Sequence, residues 1–410
     1  MPVLAPKTEA HLGALALACA CVFVATLPFH HVIALRLYAL GVAVVLTVVA
    51  GGWREWTALP LRGAWVVWAG IAALSVALAR DPRLSLAEFR HEIVYAFAAF
   101  ATWYALARRY HGAPWLGRTV AAVAIATLAL GTAVFGSGGP WFDLGDYGDV
   151  GSLSTFLVLV LPVLLLLALR SPPRSAARQG AVALAAGCLA AGFLTLNRMF
   201  WFAAAAEIAI FSLFSMRYWV TRHRALWMGG VIAIVVGLAL VEVLQASQSR
   251  IALSAPGTGV WEFLAEDPRG DLWRFAVARI AEHPWIGAGL GKWSMREVFD
   301  AHFHDPLLLH AHNLFLDRAL ETGLPGLAAF VVLLASTGIA FRRMARSDDN
   351  GTAAIGAAGL ALVAGIILKN FTDDFFVRQN ALLFWSLTGA ALGAGAARED
   401  AAEFVPRRAA

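Results

Sequence analysis

The chain has 410 residues, of which 60% are hydrophobic and 14% charged, and its formal net charge is +5. A soluble domain carries roughly a quarter charged residues, so this composition excludes an ordinary soluble protein and predicts an integral membrane protein. The basic residues are spread over many short loops, which argues against nucleic-acid binding. Cys19, Cys21 and Cys188 lie in apolar runs and form neither a metal-binding spacing nor a disulfide framework.

Apolar stretches of about 20 residues, the length that crosses a bilayer as a helix, recur along the whole chain. They predict an all-α fold with about twelve transmembrane helices, the first of which is an uncleaved span rather than a signal peptide. The predicted spans are residues 12–29, 33–51, 62–79, 91–107, 117–136, 152–169, 179–196, 199–216, 226–244, 324–341, 353–370 and 379–396.

Lys and Arg are concentrated at one set of span ends, which the positive-inside rule places in the cytoplasm together with both termini. The opposite ends are poorer in positive charge, and the loop at 137–151 carries three aspartates and no basic residue. One opposite loop departs from the pattern, because it holds Arg80, Arg83 and Arg90. These arginines predict either an anion-binding site or a third span that is misplaced.

The longest polar stretch, residues 245–323, separates the ninth and tenth predicted spans and is expected outside the cytoplasm. The chain therefore divides into a first membrane part (1–244), this outer segment, a second membrane part (324–396) and a cytoplasmic tail (397–410). The outer segment carries seven Lys or Arg against ten Asp or Glu. An anion site in it would need a few aimed arginines rather than a general basic field.

Apolar spacing predicts three short helices in the outer segment, over residues 271–281, 293–301 and 312–322. The glycine-dense stretch 286–291 predicts a turn that lets the backbone approach a ligand closely. Gly323 predicts the end of the third helix, and the tenth span follows it immediately.

A titratable side chain lies at the start of the third outer helix, close to the predicted boundary between water and lipid. His312 and Asn313 are followed after nine residues by Gly323 and after two more by Gly326. Histidine titrates near neutral pH, so His312 is a candidate general base where a lipid-linked substrate would present its head group. The same imidazole could instead bind a diphosphate as a cation, and the residues alone leave both roles open. His310 is a candidate supporting or acceptor-facing group.

Arginine side chains are the second group of candidates, since the guanidinium fork donates two parallel hydrogen bonds to phosphate. Arg198 lies in the short connection between the seventh and eighth spans, and Arg269 lies beside the first outer helix. Both connections are predicted on the face that carries His312. Arg274, five residues after Arg269, is the substitute if the helix register differs.

Two other interpretations remain open at this point. A cluster of histidines and acids suggests a metal site, but the paired spacings of common metal sites do not accompany it, so we expect no catalytic metal and no cofactor. The cluster comprises His302, His304, Asp305, His310 and His312, and Asp373-Asp374 forms a second acidic pair. Twelve spans also describe many transporters, which usually show two similar halves and a mid-membrane site. Here the polar chemistry is concentrated at one face, which favours an enzyme.

Several stretches resemble the O-antigen ligase and polymerase superfamily. Residues 267–291 are similar to its Arg-x3-Trp helix followed by Pro-x2-Gly-x-Gly-x-Gly, and residues 312–326 match the ligase pattern His-(Asn/Ser/Gln)-x9-Gly-x2-Gly at every fixed place. Residues 195–198 resemble its Ser/Thr-x-Ser-Arg turn, except that Asn197 replaces the usual serine. The predicted topology, with one large outer segment between the ninth and tenth spans, also fits.

The resemblance implies an O-antigen ligase, a GT-C-like glycosyltransferase of the Gram-negative inner membrane with its active site facing the periplasm. Such an enzyme moves O-antigen polysaccharide from undecaprenyl diphosphate to a sugar hydroxyl of lipid A–core, with no metal or cofactor, and it contacts membrane lipids. An O-antigen polymerase, which uses the same donor, is the nearest alternative within the superfamily. The spacing after His312 favours the ligase.

The chemistry of a glycosyl diphosphate assigns roles to these residues. The leaving diphosphate departs once its charge is stabilised, which Arg198 and Arg269 would do, while His312 accepts the proton of the attacking hydroxyl. A single displacement of this kind inverts the anomeric centre. Five further residues are predicted to contact the diphosphate or the acceptor: Arg274, His310, Asn313, Arg80 and Arg83.

Overall fold

A computed structural model describes residues 5–136, 150–195, 197–215 and 268–404, together with five isolated positions between 229 and 240. Within these ranges the chain is helical and contains no strand, which confirms the predicted all-α fold. The described helices are α1 (Pro6–Ala25), α2 (Ile33–Thr47), α3 (Arg62–Ala77), α4 (Pro82–Phe89), α5 (Ala96–Tyr110), α6 (Ala113–Gly136), α7 (Val150–Arg170), α8 (Ala176–Leu194), α9 (Arg198–Ser215), α10 (Pro268–Glu282), α11 (Arg296–Phe303), α12 (Leu314–Ala345), α13 (Asn350–Lys369) and α14 (Arg378–Phe404).

Nine of the described helical stretches are long and apolar enough to cross a membrane, as expected for a multi-pass membrane protein. They correspond to nine of the predicted spans and are α1, α2 with its extension to Trp56, α6, α7, α8, α9, α12, α13 and α14. The predicted span 62–79 is the apolar helix α3, which has 16 residues. Only five isolated positions of the predicted span 226–244 are described, so the count of twelve stays a prediction.

The predicted span 91–107 belongs to a longer helix that runs from Pro82 to Tyr110 through the π-helical turn Arg90–Tyr95. Asp81 caps the start of this helix by accepting hydrogen bonds from two backbone N–H groups. Its α5 part is buried against α14, where Gly389 and Gly393 lie so close to the α5 backbone that a side chain would collide with it. Small residues at such an interface let two membrane helices pack closely.

Helices α9 and α13 run in opposite directions. Glu207 in the middle of α9 packs on Gly365, and Phe211, one turn later, packs on the earlier α13 residues Ala358 and Ala361. The start of α9 therefore lies at the same end of the bundle as the end of α13 and the loop that follows it. We call this the loop end of the bundle.

The outer segment has its own apolar core. Leu272 and Ala276 from α10 pack with Phe299 from α11 and with Ala311 and Leu320 from the region around the start of α12. The three helices correspond to the predicted ones, but each begins two or three residues away from its predicted start, and α10 begins at Pro268 instead of residue 271. Residue spacing locates such helices, while their ends depend on capping contacts.

Gly323 interrupts α12 instead of ending it. Its backbone has φ 70° and ψ 177°, a conformation that strongly favours glycine, and the helix continues on the far side. A side chain at Gly323 would also meet the backbone of Trp285 at 2.7 Å. The glycine of the His-x9-Gly pattern therefore serves the kink and the close packing between the outer segment and the apolar half of α12.

The glycine-dense turn after α10 packs closely against other parts of the protein, and its predicted approach to a ligand stays a prediction. Side chains at Gly287, Gly289 and Gly291 would collide with α12, with the residues after α3, and with Glu88 of α4 respectively. Backbone hydrogen bonds from Ala288 to the Leu320 carbonyl at 2.8 Å and from Gly289 to the Glu321 carbonyl at 3.0 Å tie the turn to α12. These glycines allow close backbone contact between elements of the same protein.

Candidate active site

The loop before α12 is tied to the loop between α13 and α14. Asn313 caps α12, because its side-chain oxygen accepts hydrogen bonds from the N–H groups of Phe315 and Leu316. Its amide nitrogen donates to the Phe371 carbonyl at 2.8 Å. The Leu314 N–H reaches the Asp373 carbonyl at 3.1 Å. Asn313 thus holds the two loops together, and the contact with substrate predicted for it stays a prediction.

His312 lies between two hydrogen-bond acceptors. Its Nδ1 is 3.2 Å from the Asp373 carboxylate, and its Nε2 is 2.7 Å from the Leu307 carbonyl. A neutral imidazole carries one N–H and can satisfy only one of these acceptors, whereas the cation satisfies both. The residue has φ 49°, a left-handed conformation that is uncommon outside glycine. Its side chain is 24% exposed, so the ring is reachable from outside.

The charge of His312 depends on Asp373. Burial by itself would lower the pKa of His312, but the hydrogen bond and negative charge of Asp373 and the Leu307 carbonyl raise it above its ordinary value. Burial would raise the pKa of Asp373, yet its hydrogen bond to His312 and the nearby charge of Lys369 lower it to about 2. The two side chains form a histidine–carboxylate pair.

His310 supports His312 from the buried side. The two rings are 3.9 Å apart and inclined by 30°. His310 is buried, and its Nδ1 lies 3.0 Å from the Asp317 carboxylate, whose other oxygen accepts the Ala311 N–H at 2.8 Å. Of the two roles proposed for His310 from sequence, this geometry favours support over contact with the acceptor.

Asp373 is the functional candidate that sequence reasoning underrated. It is 61 positions from His312 in the chain, and an acidic pair in an outer loop is ordinary. The only sequence signal was that pair, Asp373-Asp374, next to the end of a predicted span. Ligand atoms of His310, His312 and Asp373 lie within 4.8 Å of one another, a grouping able to hold a metal ion. The expectation of metal-independent chemistry stays a prediction.

Lys292 and Asp374 contact each other next to the His312–Asp373 pair. The Lys292 ammonium donates to the Asp374 carbonyl at 2.6 Å and lies 4.8 Å from the centre of the Phe375 ring. The Asp374 carboxyl is fully buried, and neither oxygen has a hydrogen-bond partner among the described residues. Burial raises the pKa of Asp374. The last residue of the glycine-dense stretch, Gly291, immediately precedes Lys292, so the packed turn positions this cation.

A buried ion triad lies one turn further along α12. Arg318 is 2.5 Å from Glu92 and 2.6 Å from Glu321, and all three side chains are at most 5% exposed. The Glu321 carbonyl also accepts a hydrogen bond from Ser75 of α3 at 2.8 Å. Sequence reasoning did not anticipate this triad, because Glu92 belongs to a distant helix. The triad fastens the start of α12 to the first part of the bundle.

Arg269 is linked to His312 through Trp273. The Trp273 indole N–H donates to the Ala311 carbonyl at 3.0 Å, and its ring meets Phe371 edge-on. Arg269 lies four residues earlier in α10, a spacing that places two side chains on the same helix face. The structure therefore gives a reason for the Arg-x3-Trp spacing, since the tryptophan docks the helix face that carries the arginine.

Arg198 begins α9 and is half-buried. Because α9 and α13 are antiparallel, Arg198 lies at the loop end of the bundle, which also carries Asp373. The two arginines and His312 thus belong to the same end of the molecule, and their common contact with a diphosphate stays a prediction.

The other predicted arginines lie on the surface. Arg274 is 82% exposed and pairs with Asp271 at 2.6 Å. Arg83 is exposed in the first turn of α4. Arg80 is exposed, and its backbone N–H donates to the Ala288 carbonyl at 3.0 Å. The contacts between these arginines and the diphosphate or the acceptor stay predictions.

Comparison with known proteins gives a family for the part of the chain that carries these elements. No curated protein matches the chain. Residues 181–331 match the Wzy_C family model, described as O-antigen ligase. This region begins in α8 and includes Arg198, Arg269, His310 and His312. Residues 181–331 therefore carry an O-antigen ligase family domain, which supports the superfamily that the motifs predicted.

Proposed function

We propose that the protein is an O-antigen ligase, which transfers polysaccharide from undecaprenyl diphosphate to a sugar hydroxyl of lipid A–core at the periplasmic face of the inner membrane. The observation that carries the proposal is the histidine–carboxylate pair of His312 and Asp373 at the loop end of a helical membrane bundle. The match to the O-antigen ligase family supports the same chemistry.

His312 is the general base of the proposed reaction. In its neutral form, the imidazole takes the proton of the acceptor hydroxyl as that oxygen attacks the anomeric carbon, and the bond to the diphosphate oxygen breaks. Asp373 stabilises the imidazolium that results and holds the ring in place, as a carboxylate does for the histidine of a catalytic triad. One displacement of this kind inverts the anomeric configuration.

Arg198 and Arg269 stabilise the departing diphosphate. Each guanidinium donates two parallel hydrogen bonds to phosphate oxygens and keeps its charge at any working pH. The docking of Trp273 beside His312 supports this role for Arg269, and the direction of α9 supports it for Arg198. The residues themselves thereby supply base and charge stabilisation without a cofactor.

Reconstitution of the purified protein with undecaprenyl-diphosphate glycan and lipid A–core tests the proposal. We expect transfer to lipid A–core with EDTA present, and a loss of roughly a hundredfold or more in His312→Ala, the usual contribution of general acid–base catalysis. His304→Asn is the matched control, because His304 is an exposed histidine of the same segment with a similar left-handed backbone.

Three outcomes would count against the ligase. Donor converted into longer lipid-linked chains with lipid A–core unmodified would identify a polymerase. Transport of the donor across the bilayer without transfer would identify a transporter. Full transfer by a folded His312→Ala protein would remove the proposed base.

A further inference from the structure

A second site candidate is lined by residues other than those of the His312 site. A cavity of about 490 Å³ opens between the end of α3, the C-terminal half of α10 and the first part of α12. Neither His310, His312 nor Asp373 lines it. The lining residues that matter for the argument are Leu78, Arg80, Arg279, His283, Met295 and Leu320.

The polar part of the cavity wall is rich in positive charge. Arg80 is exposed, and its guanidinium has no hydrogen bond or ion pair within the described parts of the chain. Arg279 lies over the Phe275 ring at 5.1 Å and pairs with Glu282 at 2.7 Å, which leaves part of its guanidinium fork for a ligand. His283 is exposed beside them. The wall therefore carries two arginines and a histidine but only one acid. A bound anion would balance this excess of positive charge.

The rest of the wall and its surroundings are apolar. Trp285 beside the cavity is 74% exposed, and Leu78 in its wall is 50% exposed. Leu324, 45% exposed, begins the apolar half of α12 and donates its N–H to the Pro284 carbonyl at 2.8 Å. Exposed tryptophan next to apolar helix ends is typical of the boundary between membrane and water. A ligand reaching the cavity from this boundary carries an apolar anchor as well as an anionic group.

We propose that this cavity binds a phosphate group of the lipid-anchored acceptor glycan, with Arg80 and Arg279 as its hydrogen-bond donors. The inference rests on the proposed function, because it names the acceptor side of the same reaction. Leu320 in the cavity wall is six residues after Leu314, about 9 Å along the helix axis at 1.5 Å per residue. A short glycan bridges this span, so an acceptor held here by its phosphate presents a sugar hydroxyl towards His312.

Steady-state kinetics separate this role from a structural one. In Arg80→Gln and Arg279→Gln we expect the acceptor KM to rise roughly tenfold, the low end of the effect of a hydrogen bond to a charged group. The donor KM and kcat should stay within about twofold, since the cavity is separate from the His312 loop. Arg80→Lys keeps the charge and should retain most of the acceptor affinity. Arg296→Gln is the matched control, because Arg296 is exposed at the start of α11 and does not line the cavity.

The chemical form of the acceptor provides the decisive comparison. Removing the phosphate groups from the acceptor should raise its KM for the unaltered protein and abolish the effect of both substitutions. An effect of the same size on phosphorylated and dephosphorylated acceptor would overturn the proposal, as would an increase in the donor KM alone.

Binding without donor tests the cavity even if transfer fails. Phosphorylated and dephosphorylated acceptor lipid, and inorganic phosphate, are titrated onto the detergent-solubilised protein while tryptophan fluorescence is recorded. Tighter binding of the phosphorylated lipid, lost in the Arg80→Gln, Arg279→Gln double variant, supports the cavity site. Equal binding of the phosphorylated and dephosphorylated lipids refutes the cavity site. It is also refuted if inorganic phosphate displaces the phosphorylated lipid at a concentration no higher than that at which the lipid itself binds. Absence of glycan transfer with intact phosphate-dependent binding would refute the proposed function instead.

Discussion

His312 is held between the Asp373 carboxylate and the Leu307 carbonyl, and both acceptors favour its cationic form. Its raised pKa makes it a stronger base than a free histidine, but the base must be neutral before it can take a proton. The transfer rate should therefore increase as the pH rises through this pKa. The pair also contributes stability that is complete below the unfolded pKa of about 6.5 and is lost as the pH rises through the folded value.

Asp373→Asn tests this coupling. Without the carboxylate charge, burial lowers the pKa of His312, so the acidic limb of the kcat/KM profile should move to lower pH while the maximal rate falls. The measurement is the pH dependence of initial transfer rates, with Asp300→Asn on the exposed face of α11 as control. An acidic limb that stays in place in Asp373→Asn would show that His312 is not the titrating group.

At the scale of elements, the Trp273 indole N–H ties α10 to the His312 loop, in addition to the apolar contacts of α10 with the outer segment. Trp273→Phe keeps an aromatic ring against Phe371 and removes only the N–H that reaches the Ala311 carbonyl. A hydrogen bond of this kind contributes about 1 kcal/mol, so we expect the donor KM to rise roughly fivefold as Arg269 loses its alignment. Trp115→Phe, at an exposed position in α6, serves as the control. An unchanged donor KM in Trp273→Phe would show that the alignment of Arg269 by Trp273 does not contribute to diphosphate binding.

Much of the helix arrangement along the chain follows from the sequence. Apolar stretches and residue spacing predict nine of the observed spans and the three helices of the outer segment. The role of the glycine-dense turn was not predictable, because a glycine permits close approach without specifying what approaches. The structure shows that Gly287 meets α12 and Gly291 meets Glu88 of α4, so packing between distant helices decides the use of these glycines.

At the scale of the whole molecule, the outer segment and the bundle are joined by buried charge. The Arg318–Glu92–Glu321 triad connects α12 to the α4–α5 turn, and the turn before Lys292 packs on α4. Removal of one member of a buried ion group leaves uncompensated charge, which costs about 3–5 kcal/mol. The triad therefore makes the position of the His312 loop depend on the integrity of the first half of the bundle.

Arg318→Met should lower the unfolding free energy by about 3–5 kcal/mol, because two carboxylates remain buried without their cation. Denaturation of the detergent-solubilised protein measures the change, and combining Arg318→Met with Glu92→Gln and Glu321→Gln should restore much of the loss. Arg274→Met is the comparison, since its exposed pair with Asp271 is worth about 0–1 kcal/mol. A destabilisation no larger than that of Arg274→Met would mean that the triad does not join the two parts.

The sequence by itself determines that this is a helical membrane protein with a polar outer segment, and it singles out His312, Arg198 and Arg269. These properties are local, since hydropathy, charge and motif spacing are read along a continuous stretch of chain. The tertiary structure alone decides that Asp373 partners His312, that Trp273 docks the Arg269 helix, and that Arg80 and Arg279 line one cavity. Such contacts join residues far apart in the chain, and they arise only when helices pack and buried polar groups take the partners that packing supplies.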